Sequence, residues 1–239
     1  MNNKKYIFLA FIILFFVKVQ AQGIKKSEIN FFPINHASLI IKSTSITIYV
    51  DPVQKNDVYK KYPSPDIILI TDIHSDHLNK RVVESIKKGK TKIIAPKAVI
   101  SKLGFGEILN NGDQIKVFDV IIKAIPMYNI TKERLKFHKK GRGNGYVLTI
   151  NGKRIYISGD TEDIKEMREL KNIEYAFVCM NLPYTMSIEQ AASAVLEFIP
   201  KIVYPYHYRG PEGYSDIEKF KNLVIREKST DVRLLNWYK

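Results

Sequence analysis

The chain has 239 residues, of which 45% are hydrophobic, and this length suffices for one domain with a sizeable core. Basic residues number 38 and acidic residues 24, which gives a formal net charge of +14. Such a charge suits anionic partners, but the lysines are spread along the whole chain, so the charge alone identifies none. The single cysteine, Cys179, excludes a disulfide within the chain, and the apolar run around it predicts a buried thiol.

The first 21 residues have the order of a secretory signal peptide. Lys4 and Lys5 precede the apolar run 6–17, and Ala21 is a small residue at a suitable cleavage point. The apolar run is shorter than the roughly 20 residues that span a bilayer. We therefore predict cleavage after Ala21, a single domain over residues 22–239, no stable membrane span after processing, and a periplasmic or secreted protein. An uncleaved membrane anchor is the alternative.

Strand-like runs fall into two groups, with helical patterns between the runs. The predicted strands cover residues 37–42, 45–50, 67–71, 92–95 and 115–125 in the first group, and 146–150, 154–158, 175–180, 202–206 and 232–237 in the second. The predicted helices cover residues 80–88, 97–103, 163–170, 187–199 and 215–227. This order predicts mixed sheets packed between helices.

Local signals support several of these elements. Asn151-Gly152 between two strand-like runs predicts a hairpin. Ser187 with Gln190 three residues later predicts a capping box at the start of a helix. Gly89 and Gly104 are expected to end the helices that precede them.

Four potential metal ligands lie within six residues, directly after the apolar run 67–70. They are Asp72, His74, Asp76 and His77. In an extended chain the first three share one face, and the fourth lies on the turn beyond. A mixed nitrogen and oxygen ligand set suits Zn, Mn or Fe. Capping of the following helix would explain one aspartate but not four convergent groups, so we favour a metal site.

Other polar residues also follow strand-like runs. His207 closes the run 201–206, and Asp160 follows the run 155–159. His138 precedes a glycine-rich loop. Polar groups at the ends of several buried strands usually mark a functional site.

The order D-x-H-x-D-H, then His138, then Ser-Gly-Asp-Thr with Asp160, then a late His207 resembles the metallo-β-lactamase superfamily, whose usual first motif is H-x-H-x-D-H. Further segments resemble its branch of L-ascorbate-6-phosphate-lactonase-like hydrolases. These segments are residues 36–39, 50–52, 145–148 and 204–207. The resemblance runs from about residue 34 to about residue 210. It implies an α/β fold, the four-layer αββα sandwich, with the site at one edge between the sheets.

The resemblance also implies two divalent metal ions, with Zn expected and Mn or Fe as alternatives. The first ligand set is Asp72, His74 and His138, the second is Asp76, His77 and His207, and Asp160 bridges the two. A metal pair can hold a hydroxide and clamp the substrate oxygen. Asp76 and Asp160 are therefore the expected catalytic residues.

Asp72 departs from the histidine that is usual in the family, and three interpretations are open. As a ligand it would harden the first position and favour Mn or Fe over Zn. It could instead weaken that position and leave a mononuclear enzyme. It could also orient a neighbouring histidine without touching metal. We expect the first of these.

The remaining candidates surround this site. The predicted substrate-contacting residues are Arg142, Tyr184, Tyr206 and Arg209. The glycine-rich loop 141–145 could bring backbone close to an anionic ligand, or be a flexible exposed loop. His36 is expected to be buried and hydrogen-bonded, and Asp51 is expected to hold the backbone of the metal loop.

These features predict an exported metal-dependent hydrolase. It would use a metal-bound hydroxide on an ester, lactone or phosphodiester of a small or lipid-derived, possibly anionic, molecule. The alternatives are a nuclease-like phosphodiesterase and a metal-binding protein that has lost activity through Asp72. Nucleic acid is not the expected partner, because no added domain builds the long basic groove it needs.

Overall fold

The computed structural model describes residues 28–238, and the predicted signal peptide lies outside them. Two mixed sheets form the centre of this part of the chain. The first sheet has the order β1 (Asn30–Asn35), β2 (Ser38–Lys42), β3 (Thr47–Val50), β4 (Ile67–Leu69), β5 (Lys92–Ala95) and β6 (Glu107–Ile108). The strands β1 to β3 pair antiparallel, and β3 to β6 pair parallel.

The second sheet is built from strands that follow β6 in the chain. Its consecutive neighbours are β7 (Gln114–Val117), β8 (Val120–Met127), β9 (Gly143–Ile150), β10 (Lys153–Ile157), β11 (Tyr175–Cys179) and β12 (Ile202–Tyr206). The strands β13 (Arg209–Gly210) and β14 (Gly213–Tyr214) form a separate hairpin, and β15 (Asp231–Val232) pairs with β12. The strands β7 to β10 pair antiparallel, whereas β10 to β12 and β15 pair parallel.

Helices cover the outer faces of the sheets. They are α1 (Asn56–Tyr59), α2 (Lys80–Ile86), α3 (Lys97–Leu103), α4 (Lys165–Arg168), α5 (Ile188–Phe198) and α6 (Ile217–Ile225), with a 3-10 turn at Lys132–Arg134. Within residues 28–238, no helix has both the length and the apolarity that crossing a membrane requires.

The side-chain alternation of β2 shows how the layers are built. Leu39 and Ile41 belong to the core between the two sheets, whereas Ile40 belongs to a second core that contains residues of α2 and α3. On the far side, Phe198 of α5 packs edge-on against Tyr156 of β10, with ring centroids 5.9 Å apart. Helix, sheet, sheet and helix therefore form four layers, and the predicted αββα sandwich is confirmed.

Three local predictions are confirmed. Asn151 and Gly152 both have left-handed backbone angles and join β9 to β10 as a hairpin. Ser187 and Gln190 form the reciprocal capping box of α5. Gly104 ends α3 in the left-handed conformation, with φ of 81°.

Other local predictions were wrong. Residues 115–125 are not one strand but the hairpin of β7 and β8, because Phe118 takes a left-handed φ of 51° without a glycine to signal it. Gly89 does not end α2, which stops at Ile86 before an extended Lys87. The strand β1 was not predicted, and the predicted strand 232–237 is reduced to β15.

The candidate site residues lie just after the carboxyl ends of parallel strands. Asp51 follows β3, residues 70–78 follow β4, residues 158–162 follow β10, and His207 follows β12. The side-chain contacts described below bring these four segments together at one edge of the sandwich, as the order of the motifs predicted.

Candidate metal centre

Asp51 holds the loop that follows β4. Its Oδ1 accepts from the backbone N–H of Thr71 at 2.7 Å, and its Oδ2 accepts from the Thr71 hydroxyl at 2.6 Å. The same Oδ2 lies 2.8 Å from Nδ1 of His77. Because a carboxylate here accepts the Nδ1 proton, the Nε2 lone pair of His77 faces the site. Asp51 thus supports the loop backbone, as expected, and also orients a candidate ligand.

The four polar residues of the motif do not cap the helix that follows them. The cap of α2 is Asn79, whose side chain accepts from the backbone N–H of Val82. The alternative of a simple helix cap is therefore excluded for the motif.

Asp76, His77, Asp160 and His207 form one cluster. The two Nε2 atoms of His77 and His207 lie 3.1 Å apart. Asp160 Oδ2 is 3.2 Å from Nε2 of His77, and Asp160 Oδ1 is 3.3 Å from Nε2 of His207. Asp76 Oδ2 is 3.4 Å from Nε2 of His207. Four donor atoms from three separate loops thus converge on one point.

A divalent ion fits this cluster. Zinc bonds of about 2.0–2.1 Å in a tetrahedron put neighbouring ligand atoms roughly 3.3 Å apart, which agrees with the separations of the histidine and carboxylate atoms. Asp160 Oδ1 is buried and has no hydrogen-bond partner within the described residues. A buried acceptor without a donor is costly, and a cation would satisfy it.

The other potential ligands, Asp72, His74 and His138, form a separate group, which is the first ligand set that the family resemblance implies. His74 Nδ1 lies 2.9 Å from Asp72 Oδ2, and His138 Nε2 lies 3.2 Å from Asp160 Oδ2. Arg142 enters this group. It donates from Nε to Asp72 Oδ1 at 3.0 Å and from Nη2 to Asp72 Oδ2 at 2.8 Å. Both oxygens of Asp72 are therefore engaged by protein groups.

The seven predicted ligands thus lie in two adjacent groups, divided as the family resemblance implied. Their role as ligands stays a prediction. Sequence reasoning missed the contact between Asp72 and Arg142, for which the sequence holds no local signal.

Within the glycine-rich loop, Gly143 and Gly145 are buried against backbone, whereas Gly141 is exposed. A Cβ on Gly143 would lie 2.9 Å from the carbonyl oxygen of Thr71, and a Cβ on Gly145 would lie 2.7 Å from that of Ser158. The N–H of Asn144 donates to the Thr71 carbonyl at 2.9 Å. Gly143 and Gly145 let the start of β9 approach the metal loop and the loop after β10 closely, a packing role that neither interpretation of the sequence included.

His36 lies against the cluster that contains Asp76 and His207, although no partner for it was predicted from the sequence. Its Nε2 is 3.3 Å from Asp76 Oδ2, and its ring lies 3.9 Å from that of His207, centroid to centroid. Its Nδ1 lies 2.8 Å from the hydroxyl of Tyr238. Burial lowers the pKa of His36, which favours a neutral ring. Tyr238 is a site residue that sequence reasoning did not find.

A cavity of about 480 Å³ opens beside the ligands. Its walls include Tyr184 and Arg209, two of the four predicted substrate-contacting residues, together with Phe137. Tyr206 was predicted to form a wall but is fully buried, and its hydroxyl accepts from the N–H of Gly159. Tyr206 therefore supports the loop that carries Asp160 instead of facing the cavity.

The charged groups stabilise one another strongly. Burial would raise the pKa of Asp160, but the His207 and His77 rings and a hydrogen bond from His138 hold it well below the usual value. For Asp72, burial is likewise outweighed by His74 and Arg142, and the pKa is lowered. Both carboxyl groups are therefore ionised at neutral pH.

Cys179 takes no part in this cluster. It is fully buried, and burial raises the pKa of its thiol to about 11. The predicted buried, unreactive thiol is confirmed.

Glu162 anchors the segment that carries His138. Its Oε2 accepts from the N–H groups of Ile130 and Thr131 at 2.5 and 2.6 Å, and its Oε1 accepts from Arg134 Nη1 at 2.6 Å. Although burial alone would raise the pKa of Glu162, these donors lower it below the usual 4.5. The carboxylate therefore stabilises the fold above pH 4.5, and this contribution is lost as the pH falls through the lowered pKa.

We expect Glu162→Gln to reduce the free energy of unfolding by about 2 kcal/mol at pH 7, because the amide cannot satisfy all three donors. The difference between the two proteins should shrink below pH 4.5. Urea unfolding at a series of pH values measures it. Glu169→Gln is the control. The exposed Glu169 carboxylate forms a surface ion pair with Lys165, whose loss should change stability little. A constant difference down to pH 2 would contradict the assigned role.

Comparison with known proteins agrees with this geometry. Residues 29–207 match the family model of the beta-lactamase superfamily domain. A crystal structure from Parabacteroides distasonis, named as a metal-dependent hydrolase, has 40% sequence identity and a TM-score of 0.80, and the match covers 89% of this chain and all of that one. Igni18, a metallo hydrolase from Ignicoccus hospitalis, has 25% identity and a TM-score of 0.73, over 87% and 94% of the two chains.

A sequence relative narrows the family. A UPF0173 metal-dependent hydrolase of Pyrococcus furiosus is 31% identical over 206 residues, which covers 80% of this chain and 90% of the relative. The fold, the ligand-like cluster and these matches agree, and the chain belongs to the metallo-β-lactamase superfamily and, within it, to the UPF0173 family of metal-dependent hydrolases.

Proposed function

We propose that this protein is a metal-dependent hydrolase that cleaves an ester, lactone or phosphodiester bond of a small molecule bound in the cavity. One observation carries the proposal: His77 and His207 direct their Nε2 atoms at each other over 3.1 Å, beside the unpartnered Oδ1 of Asp160. Two ring nitrogens and a carboxylate this close together need a proton or a metal ion between them, and their near-tetrahedral spacing favours a divalent ion. Relatives named as metal-dependent hydrolases support the same reaction class.

The residues of the cluster and its neighbour His36 have different roles in this reaction. A divalent ion held by this cluster supplies a Lewis acid and lowers the pKa of water toward about 7. Asp160 and the two histidines would hold the ion. Asp76, whose carboxylate is 38% exposed and lines the cavity, would complete the ligand set and is placed to orient a water beside the ion through its outer oxygen. His36 holds Asp76 through its Nε2 contact.

The cavity favours a small substrate. Its volume of about 480 Å³ lies within the usual range for small-molecule sites of roughly 300–1,000 Å³. A nuclease would need a long basic groove, whereas the cluster opens into a cavity of small-molecule size. Arg209 supplies a cation at the wall, while Phe137 and Tyr184 supply apolar surface. This combination suits a molecule with an anionic group and an apolar part.

The experiment pairs metal analysis with a substrate panel. The purified protein would be stripped with a chelator, reloaded with Zn²⁺ or Mn²⁺, and tested on esters, lactones and phosphodiesters. We expect hydrolysis of at least one class only after reloading. A stripped protein that hydrolyses as fast as the reloaded one would refute the proposal. A lactone preference would support the predicted ascorbate-phosphate-lactonase-like branch, although export argues against its cytosolic substrate.

Arg209 is expected to read the substrate's charge. Its guanidinium stacks over Tyr238 at 5.2 Å and is exposed to the cavity. We expect Arg209→Ala to raise KM for an anionic substrate about 10-fold, the loss of one charge-assisted hydrogen bond. KM for a matched neutral substrate should change little. Lys140→Ala removes a cation that already pairs with Glu166 and serves as the control. Equal increases for both substrates would show that Arg209 shapes the cavity without reading charge.

We also propose that the protein is exported, on the basis of the N-terminal sequence alone. N-terminal sequencing after cell fractionation tests this. A mature chain beginning at Gln22 in the periplasm or medium supports it, and an intact Met1 in the cytoplasm contradicts it.

A further inference from the structure

The guanidinium of Arg142 lies where the first metal ion of the family would be held. Its Nε and Nη2 grip both oxygens of Asp72, at 3.0 and 2.8 Å. Its Nη2 is also 3.3 Å from Nε2 of His74. One planar cation therefore contacts two of the three residues that the family resemblance assigns to that ion.

The protonation pattern of His74 makes this contact specific. Its Nδ1 lies 2.9 Å from Asp72 Oδ2, so Nδ1 carries the proton and donates to the carboxylate. Its Nε2 is then a lone pair, and Arg142 Nη2–H donates to it. The guanidinium thus uses the same lone pairs that a metal ion would use.

The charge balance of the two ligand groups also favours metal binding by only one of them. In the first group, the carboxylate of Asp72 is neutralised by Arg142 in a buried, bidentate pair. In the other group, Asp76 and Asp160 have only histidines as ion-pair partners among residues 28–238. An added divalent cation is attracted to the second group and repelled by the guanidinium in the first.

The backbone fixes Arg142 in this place. Asn144, two residues on, donates its N–H to the carbonyl of Thr71, the residue before Asp72. Gly143 permits that approach because a Cβ there would collide with the same carbonyl. The side chain of Arg142 is only 18% exposed, and that of Asp72 is fully buried.

Arg142 explains why an aspartate at position 72 can replace the histidine that is usual in the family motif. The usual H-x-H-x-D-H motif has a neutral imidazole at the position of Asp72, which cannot bind a guanidinium as a two-oxygen acceptor. A carboxylate at position 72 can accept two hydrogen bonds from the guanidinium of Arg142, which lies 70 residues later in the chain.

We propose that Arg142 replaces the first metal ion, so that the enzyme works with one divalent ion, at Asp76, His77, Asp160 and His207. This rests on the proposed function only in that the second group binds metal. Asp72 is then a positioning residue for Arg142 and His74, not a metal ligand. His138, freed from the ion, orients Asp160 through its Nε2 contact of 3.2 Å.

Metal stoichiometry tests the proposal. Chelator-stripped protein is titrated with Mn²⁺ in a calorimeter, and bound Mn²⁺ is followed by electron paramagnetic resonance. We expect one equivalent for the wild type, with the spectrum of an isolated ion. The double variant Asp72→His/Arg142→Ala restores the usual motif without leaving a buried charge unpaired. It should bind two equivalents and show the spectrum of a coupled pair. Arg142→Ala should gain a second equivalent that binds more weakly than the first.

Lys140→Ala is the matched control, since it removes a nearby cation that does not contact Asp72, and it should keep one equivalent. Two equivalents in the wild type would overturn the proposal while leaving the proposed function intact. A folded double variant that still binds one equivalent would also overturn it. No Mn²⁺ or Zn²⁺ binding by the wild type would instead refute the proposed function.

Discussion

Asp160→Ala is expected to lose the bound metal ion and to lower kcat/KM about 10³-fold. Asp160 is buried, and its two oxygens lie 3.2 and 3.3 Å from the Nε2 atoms of His77 and His207. Without this carboxylate, the ion keeps one partly exposed carboxylate and two imidazoles. The affinity should fall at least about 100-fold, more than is usual for loss of a supporting residue. The rate loss corresponds to the several kcal/mol that a metal ion contributes to transition-state stabilisation.

Elemental analysis of dialysed protein and a calorimetric titration measure the first effect, and steady-state kinetics measure the second. Asp163→Ala is the control on the same loop, because that carboxylate pairs with Arg168 outside the cluster. The control should keep its metal and lose at most some stability. A metal-loaded Asp160→Ala protein would show that the ion lies elsewhere, and the proposed site would then be wrong.

Asp51→Asn is expected to weaken metal binding about 10- to 100-fold, although Asp51 is not one of the candidate ligands. Asp51 orients His77 through Nδ1 and holds the backbone of Thr71. Partners of this kind fix the ring and tautomer of a metal-bound histidine, and their loss typically costs that much affinity. Asparagine tolerates the left-handed φ of 45° at this position, so the backbone should persist. Its amide nitrogen cannot accept a hydrogen bond from Thr71 or His77, so stability should also fall, by about 1–3 kcal/mol.

A comparison variant separates positioning from stability. Asp66 accepts the N–H of Thr47 at 2.8 Å in the same sheet, away from the cluster. Asp66→Asn should lower stability but leave the metal dissociation constant unchanged. If the two variants lose affinity equally, Asp51 acts only through the fold. Chemical unfolding and metal titration on the same samples distinguish the two cases.

The candidate ligands were predictable because their signal is local. Asp72 to His77 directly follow a buried strand, and the strand periodicity puts them at its carboxyl end. His207 and Asp160 follow other buried runs in the same way. Parallel strands share one carboxyl edge, so residues at their ends converge whatever the intervening chain does. The αββα fold was predicted on the same motif order, which the resemblance connected to one architecture.

The partners of these residues were not predictable, because they come from contacts between distant segments. Arg142 was expected to contact the substrate, yet β9 places it against Asp72. Tyr238 reaches His36 across 202 residues of chain. Tyr206 was expected at the cavity wall, but its position within β12 turns it into the core. Arg142 and Tyr206 were recognised as candidate site residues with the wrong neighbours, whereas Tyr238 was not singled out at all.

Hydrophobic periodicity and motif spacing along this chain thus predict two groups of strands and the residues expected to bind metal, and the family resemblance adds the edge at which the site lies. Those patterns act over a few residues, where strand geometry leaves little freedom. The number of ions the site holds depends on whether a cation from another strand already neutralises Asp72. That is decided by the approach of Gly143 to Thr71 across the two sheets, a long-range packing contact that no local pattern encodes.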